Sequence, residues 1–215
     1  MRTGLAHWMK LCSHFPGATQ RESWHSRLMV AYSEPQRAYH TLQHLEECLR
    51  EYDRAEETGQ VQRPHELECA LWFHDMVYDP QGKENEALSA GQACEFLNGH
   101  ESASRVAELI LLTRDHRPRG GADDAWMIDI DLSIFGQDLP RVREYERQIR
   151  QEYAWVDWPV YREKRLEVLT SFLSRERLYL TVDFYQRYEA SARSHLRALV
   201  EELEATSGFQ EPDQA

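Results

Sequence analysis

Glycine and proline are scarce in this sequence, ten and eight among 215 residues, and the stretches between them carry apolar residues at helical spacing. So few breaks argue for an all-α protein. Long apolar runs are missing as well. No segment approaches the roughly 20 apolar residues that a membrane span needs. The opening MRTGLAHWMKLCSHF is interrupted by His7, Lys10 and His14, which denies it the apolar centre of a signal peptide. The four cysteines, Cys12, Cys48, Cys69 and Cys94, never pair as CxxC. That argues against zinc-ribbon and disulfide spacing and suits small core residues in a reducing compartment. Positive charge is in deficit, with 25 Lys and Arg against 37 Asp and Glu and a net charge of -12. Such a surface repels a phosphate backbone, which argues against a nucleic-acid polymer as partner. A cytoplasmic protein with no membrane partner is expected.

At this length one core suffices, and no internal boundary forces a second. The expected architecture is a single-domain helical bundle over residues 1–206 with about seven to eight helices. Its chemistry-bearing motifs fall within 38–135, its C-terminal helices within 139–206, and a disordered tail covers 207–215. Helices are predicted from Thr3 to His14, from about Arg21 to Tyr32, and from the SEPQ turn to about Thr58. Others cover PHELECALWFHDMVYD, KENEALSAGQACEFLNG and ESASRVAELILLTRDH, and Asp123 or Asp124 can cap DDAWMIDIDLSIFG.

Three groups of residues can carry chemistry. In ALWFHDMVY, a helix apolar on nearly all sides surrounds His74 and Asp75. A carboxylate buried there needs a cation or a dense set of hydrogen bonds, because an unpaired one costs several kcal/mol or is protonated. A helix cap or an arginine partner would satisfy it equally well. In YHTLQHLEECL, the four-residue spacing of His40 and His44 places both imidazoles on one helix face. Leu42, Leu45 and Leu49 form the core stripe, so the pair lies off its centre, with Arg37, Glu47 and Glu51. It is either solvent-facing or the lining of a wet cleft. In MIDIDLSIFG, Asp129 and Asp131 would share a face in a strand, but in a helix they point about 200° apart and only one reaches a common metal. Together the groups offer nitrogen and oxygen ligands suited to Mn, Fe, Co, Ni, Zn or Mg.

In order and spacing these residues resemble the HD superfamily of metal-dependent phosphohydrolases, whose pattern is H, then HD, then a distal D. Here those positions are His44, His74-Asp75 and Asp131. YHTLQH is similar to the YHNxxH stretch of cyclic nucleotide phosphodiesterases, and Asp131-Leu132-Ser133 follows the same branch. From YSEP through WFHDMVYD and ENEALSA to DIDLSIFG, about residues 20 to 175, the chain resembles a bacterial group of predicted metal-dependent phosphohydrolases. The place four residues after the HD histidine, a ligand in two-metal relatives, holds Tyr78, a poor ligand for a hard cation.

The resemblance implies an HD-type bundle and an enzyme that hydrolyses a small phosphate ester, with a nucleotide as the substrate class. One divalent metal would be held by His44, His74, Asp75 and Asp131, with Asp75 also counted as catalytic. The metal would make hydroxide available from a bound water, and His40 would protonate the leaving oxygen as general acid. Arg37, Tyr78, Glu86, Arg114, His116 and Arg117 are candidate substrate contacts; the arginines of TRDHRPRGG fit a solvated loop equally well. Two other uses of the bundle stay open. One is di-iron oxidation, for which His116 and Asp129 are spare; the other is a non-catalytic module that binds a nucleotide or a protein through its aromatic-rich C-terminal third. The oligomeric state is open too, a homodimer included.

Overall fold

The computed structural model describes residues 1–205, so the expected tail over 207–215 lies outside the described residues. Among these residues all regular structure is helical, with ten α-helices and two short 3-10 turns. Seven to eight helices were expected. The short elements α1 (Leu5–Cys12), α6 (Ala103–Leu111) and α7 (Asp124–Asp131) each fall within a segment expected to be helical, so the class fits and only the total is higher. The chain divides into two compact units, Met1–Asp131 and a second beginning at Leu132.

The first unit also contains α2 (Arg21–Ala31), α3 (Leu42–Glu57), α4 (Pro64–Phe73) and α5 (Asn85–Leu97). Its centre is α4, which packs against α1, α3, α5, α6 and α7. From Glu66 to Phe73 every residue of α4 is buried, as a helix apolar on all sides requires. Trp72 and Phe73 enter an aromatic cluster with Trp8 and Phe96, where ring centroids lie 5.0 to 6.0 Å apart. Each such side chain contributes about 1.5–3 kcal/mol by leaving water, and edge-on pairing adds to that. This core fixes the axis on which the HD dipeptide sits. Two local devices hold its surroundings. The Asp123 carboxylate accepts the backbone N–H groups of Gln62 and Arg63 at 2.8 and 2.7 Å, just before α4. Asp124 accepts those of Arg119 and Gly121 at 2.7 and 3.1 Å and pairs with Arg105, closing the RPRGG loop.

The second unit consists of a 3-10 turn (Leu132–Gly136), α8 (Leu139–Glu152), α9 (Trp158–Leu173) and α10 (Val182–Ala205). Two or three long helices were expected from Leu139 onward, and three are present among the described residues. α10 packs on α9 and on the 3-10 turn. Its buried Glu189 accepts the N–H groups of Leu178 and Tyr179 at 3.0–3.1 Å and the Arg193 guanidinium at 2.5 Å. Arg193 in turn donates to the carbonyls of Leu173, Arg175 and Glu176 at 2.7–3.0 Å, groups that the end of α9 leaves without helical donors. Removing the Glu189 carboxylate strands two buried amides and one cation. Glu189→Ala is therefore expected to lower stability by roughly 2 kcal/mol, read as a lower urea midpoint; an unchanged midpoint would refute this account of the α9–α10 junction.

Candidate metal centre

The end of α4 forms one wall of the centre. The sequence predicted helix through Tyr78, but α4 stops at Phe73; His74 is its C-cap and Asp75 lies in the turn that follows. The helix can end there because side chains replace the missing ladder bonds. Tyr32 donates to the Trp72 carbonyl at 3.2 Å and accepts the Asp75 N–H at 3.3 Å. Arg37 donates to the Asp75 and Met76 carbonyls at 2.7 and 3.0 Å, and Ser89 accepts the Val77 N–H at 3.0 Å. Burial pushes the Tyr32 phenol up to about 12, so it remains a neutral hydroxyl. His74 Nδ1 donates to the Leu71 carbonyl at 2.8 Å. That bond fixes the ring, so that Nε2 is the nitrogen facing the centre with a lone pair to offer.

The start of α3 is the second wall, and here the expectation needs correction. α3 begins at Leu42, not at SEPQ, because Thr41 is extended (φ -112°, ψ -177°) and caps the helix through its side chain. His40 thus precedes the helix in a turn, and the four-residue spacing does not place it one turn before His44. His44 is buried at 2% exposure, not solvent-facing, since α7 packs along that flank of α3. α7 is the third wall. As a helix it brings only Asp131, its last residue, to the group, while Asp129 is fully buried elsewhere on its circumference.

His44, Cys48, His74 and Asp131 form a group able to hold a metal ion, with one candidate ligand atom from each lying within 4.8 Å of the others. His44 Nε2 and His74 Nε2 face each other at 3.1 Å. Asp75 Oδ2 lies 3.4 and 3.0 Å from them, and Asp131 Oδ1 3.3 and 3.6 Å. Ligands bonded at roughly 2.1 Å stand about 3.0 Å apart in an octahedral shell and about 3.4 Å apart in a tetrahedral one. The residues present fit a cation on that measure. Asp75 Oδ2 is moreover a buried oxygen with no hydrogen-bond partner, although two imidazole nitrogens stand beside it. A shared cation would satisfy it.

Charge points the same way. Burial opposes both imidazolium ions, yet their surroundings raise both well above the ordinary histidine value: Cys48, Tyr39 and the two carboxylates for His44; Asp75, Tyr32 and Asp131 for His74. Burial likewise opposes the Asp75 and Asp131 carboxylates, yet they are held well below the ordinary range. His74, His40 and His44 do this for Asp75, and His116, His44 and His74 for Asp131. Two imidazolium N–H groups cannot both point across 3.1 Å without repulsion, so the pair carries protons where the geometry favours a single cation.

Cys48 is the member that the sequence reading missed, having placed all four cysteines in the core. Its position four residues after His44 was the available signal. The sulfur lies 3.7 Å from both ring nitrogens of His44, hence beside the ring and off the Nε2 lone-pair direction. An ion in the ring plane at Nε2 would stand roughly 4 Å or more from it, against about 2.3 Å for a zinc–sulfur bond. Asp75 Oδ2, at 3.4 Å from His44 Nε2, stands nearer to that nitrogen than the Cys48 sulfur does at 3.7 Å.

The other predicted residues divide sharply. His116, in a left-handed turn (φ 50°), brings Nε2 to 2.9 Å from Asp131 Oδ2 and so orients that ligand. Tyr78 stacks on the half-buried His40, with centroids 4.1 Å apart, and serves as its support. Arg37 is not available to a substrate, because its side chain has no exposed surface and its guanidinium is spent on backbone carbonyls and Glu34. Arg114 and Arg117 are exposed; Arg114 reaches the Lys83 carbonyl at 3.4 Å, and neither touches the group. Glu86 stands half-buried in the first turn of α5 with no bond to the group. Asp79 folds its own loop by accepting the Gln81 N–H at 2.9 Å.

No family model, curated protein or solved structure matches this chain.

Metal binding must displace protons from this group, because imidazole ligates only when neutral. Near pH 7 at least one proton should leave per ion bound, seen as a dependence of the calorimetric enthalpy on the buffer's ionisation enthalpy. Raised histidines add stability below 6.5 and lose it as pH climbs through their raised values. In chelator the melting temperature should therefore fall over that climb while metal affinity rises; parallel trends would contradict the assignment.

Proposed function

We propose that this chain is a metal-dependent phosphohydrolase acting on a small phosphate ester, with a nucleotide as the substrate class. The observation that carries the reading is the buried, hydrogen-bond-free Asp75 Oδ2 facing two imidazole nitrogens at 3.0 and 3.4 Å, with Asp131 Oδ1 opposite. The ligand types and their chain order are those that the HD resemblance implies. One divalent ion is assigned to His44, His74, Asp75 and Asp131. Bound there, it would act as Lewis acid and lower the pKa of a coordinated water.

The rest of the chemistry falls to this chain's own groups. Nδ1 of His74, bonded to Leu71, holds its ring against rotation, and His116 does the same for the Asp131 carboxylate. His40 is the proposed general acid. Its half-buried ring rests on Tyr78, and it stands close enough to Asp75 for its charge to stabilise that carboxylate. A donor so placed delivers a proton to a leaving oxygen at the mouth of the centre without itself being a ligand. Arg114 and Arg117 are exposed, and the role proposed for them is to meet further phosphate oxygens.

The test is metal analysis of protein purified without added metal, followed by turnover of a nucleotide panel with the metal found. Asp75→Ala should lose both metal and turnover. His40→Ala should keep the metal and lose about 10²–10⁴-fold in turnover. A protein with no bound metal, whose Asp75→Ala variant is as active as wild type, would sink the proposal. Loss of metal on His40→Ala would turn the acid into a ligand.

A further inference from the structure

Arg37 connects the two parts of the proposed site that come from irregular backbone. Nη1 donates to the His40 carbonyl at 3.0 Å and to the Asp75 carbonyl at 2.7 Å, and Nη2 donates to the Met76 carbonyl at 3.0 Å. Nε pairs with Glu34 at 3.0 Å. The guanidinium also lies over the rings of Tyr32 and Tyr78, 5.3 and 5.4 Å from their centroids, and Tyr78 carries His40 on its ring. One planar cation thus touches the backbone of the proposed acid, the backbone of a proposed ligand and the aromatic support of the acid.

We propose that Arg37 is a positioning residue that locks the His40 turn to the His74–Asp75 turn and so sets the acid against the metal ligand. The catalytic half of this proposal rests on the hydrolase reading; the mechanical half does not. A lysine keeps the charge but concentrates its donors on one flexible nitrogen, which cannot span three carbonyls in the fixed fork of a guanidinium. A mere cap for α4 would need only the Asp75 and Met76 carbonyls. The bond to His40 is what ties the acid in.

The variants are Arg37→Lys and Arg37→Ala, with Arg37→Lys read alone if Arg37→Ala does not fold. Hydrogen exchange of segments 38–41 and 74–78 is the first readout. Both should exchange faster together, by about tenfold, while the middles of α3 and α4 stay as in wild type. Cobalt(II) release to a chelator should quicken by roughly tenfold, the loss typical when a residue behind a ligand is removed. With bis(p-nitrophenyl) phosphate as probe, kcat should fall by about the same factor at nearly constant KM, and added guanidinium should restore part of the loss in Arg37→Ala. Loosening of one turn without the other, uniform loosening of the whole unit, or a loss confined to KM would each overturn the proposal. A wild type that hydrolyses neither the probe nor any member of the nucleotide panel defeats the hydrolase reading, whereas exchange and cobalt release still decide the coupling of the two turns.

Discussion

A helix that ends inside a protein strands several carbonyl oxygens, and each costs free energy unless a donor reaches it. α4 ends this way after Phe73, surrounded by five other helices. The whole centre depends on how that end is satisfied. Were the helix to continue, Asp75 would be carried round the axis with the ladder. Instead Tyr32, Arg37, Ser89 and His74 itself take over the polar groups from Leu71 to Val77. The turn that results presents His74 and Asp75 side by side toward α3 and α7. The carbonyl end of a helix also carries partial negative charge, which favours a cation nearby. The same termination that frees the ligands therefore biases the electrostatics toward what they would hold.

Charge balance is the second constraint. Two imidazoles and two carboxylates converge here, the imidazoles almost wholly buried and the carboxylates only partly exposed, and burying any one of them alone would be costly. Without metal they compensate one another, the carboxylates raising both imidazoles and the imidazoles holding both carboxylates down. This balance is poor in geometry, for it leaves Asp75 Oδ2 without a hydrogen bond and sets two nitrogens head to head. A divalent ion would replace the protons with one charge placed where all four groups converge. Stability of the metal-free state and affinity for metal thus draw on the same protons and oppose each other with pH.

The helical class, the buried character of α4 and the rule that only one of Asp129 and Asp131 could reach a common point were legible in the sequence, because each follows from helical period and side-chain direction; the choice of Asp131 came from the resemblance. His44, His74 and Asp131 could be named as partners from residue type and order, though not from any property of one segment. What was hidden depended on tertiary contacts. The wheel placed His44 off the core stripe, since nothing in α3 reveals that α7 covers its flank. The helix was expected to start near Pro35, ahead of the Thr41 cap that begins it at Leu42, so His40 was wrongly kept inside it. Arg37 was taken for a substrate contact because an arginine's partners are read as anions, whereas its partners here are mainly backbone carbonyls, which carry no sequence signature.

The arrangement also bears on how many ions the proposed site would take. Asp131 divides its oxygens, with Oδ1 toward His44 and His74 and Oδ2 toward His116. While His116 holds Oδ2, the carboxylate offers one oxygen to the centre, and bridging a second ion would require breaking that bond. The place four residues after His74, where two-metal HD enzymes carry a further ligand, is held by Tyr78, whose ring stacks on His40 and lies 5.4 Å from the Arg37 guanidinium. Both routes to a second ion therefore cost contacts that support the first. A single ion leaves every one of those contacts intact, with His116 as the orienting partner of Asp131 and Tyr78 as the support of the acid, and it is the occupancy that this set of bonds favours.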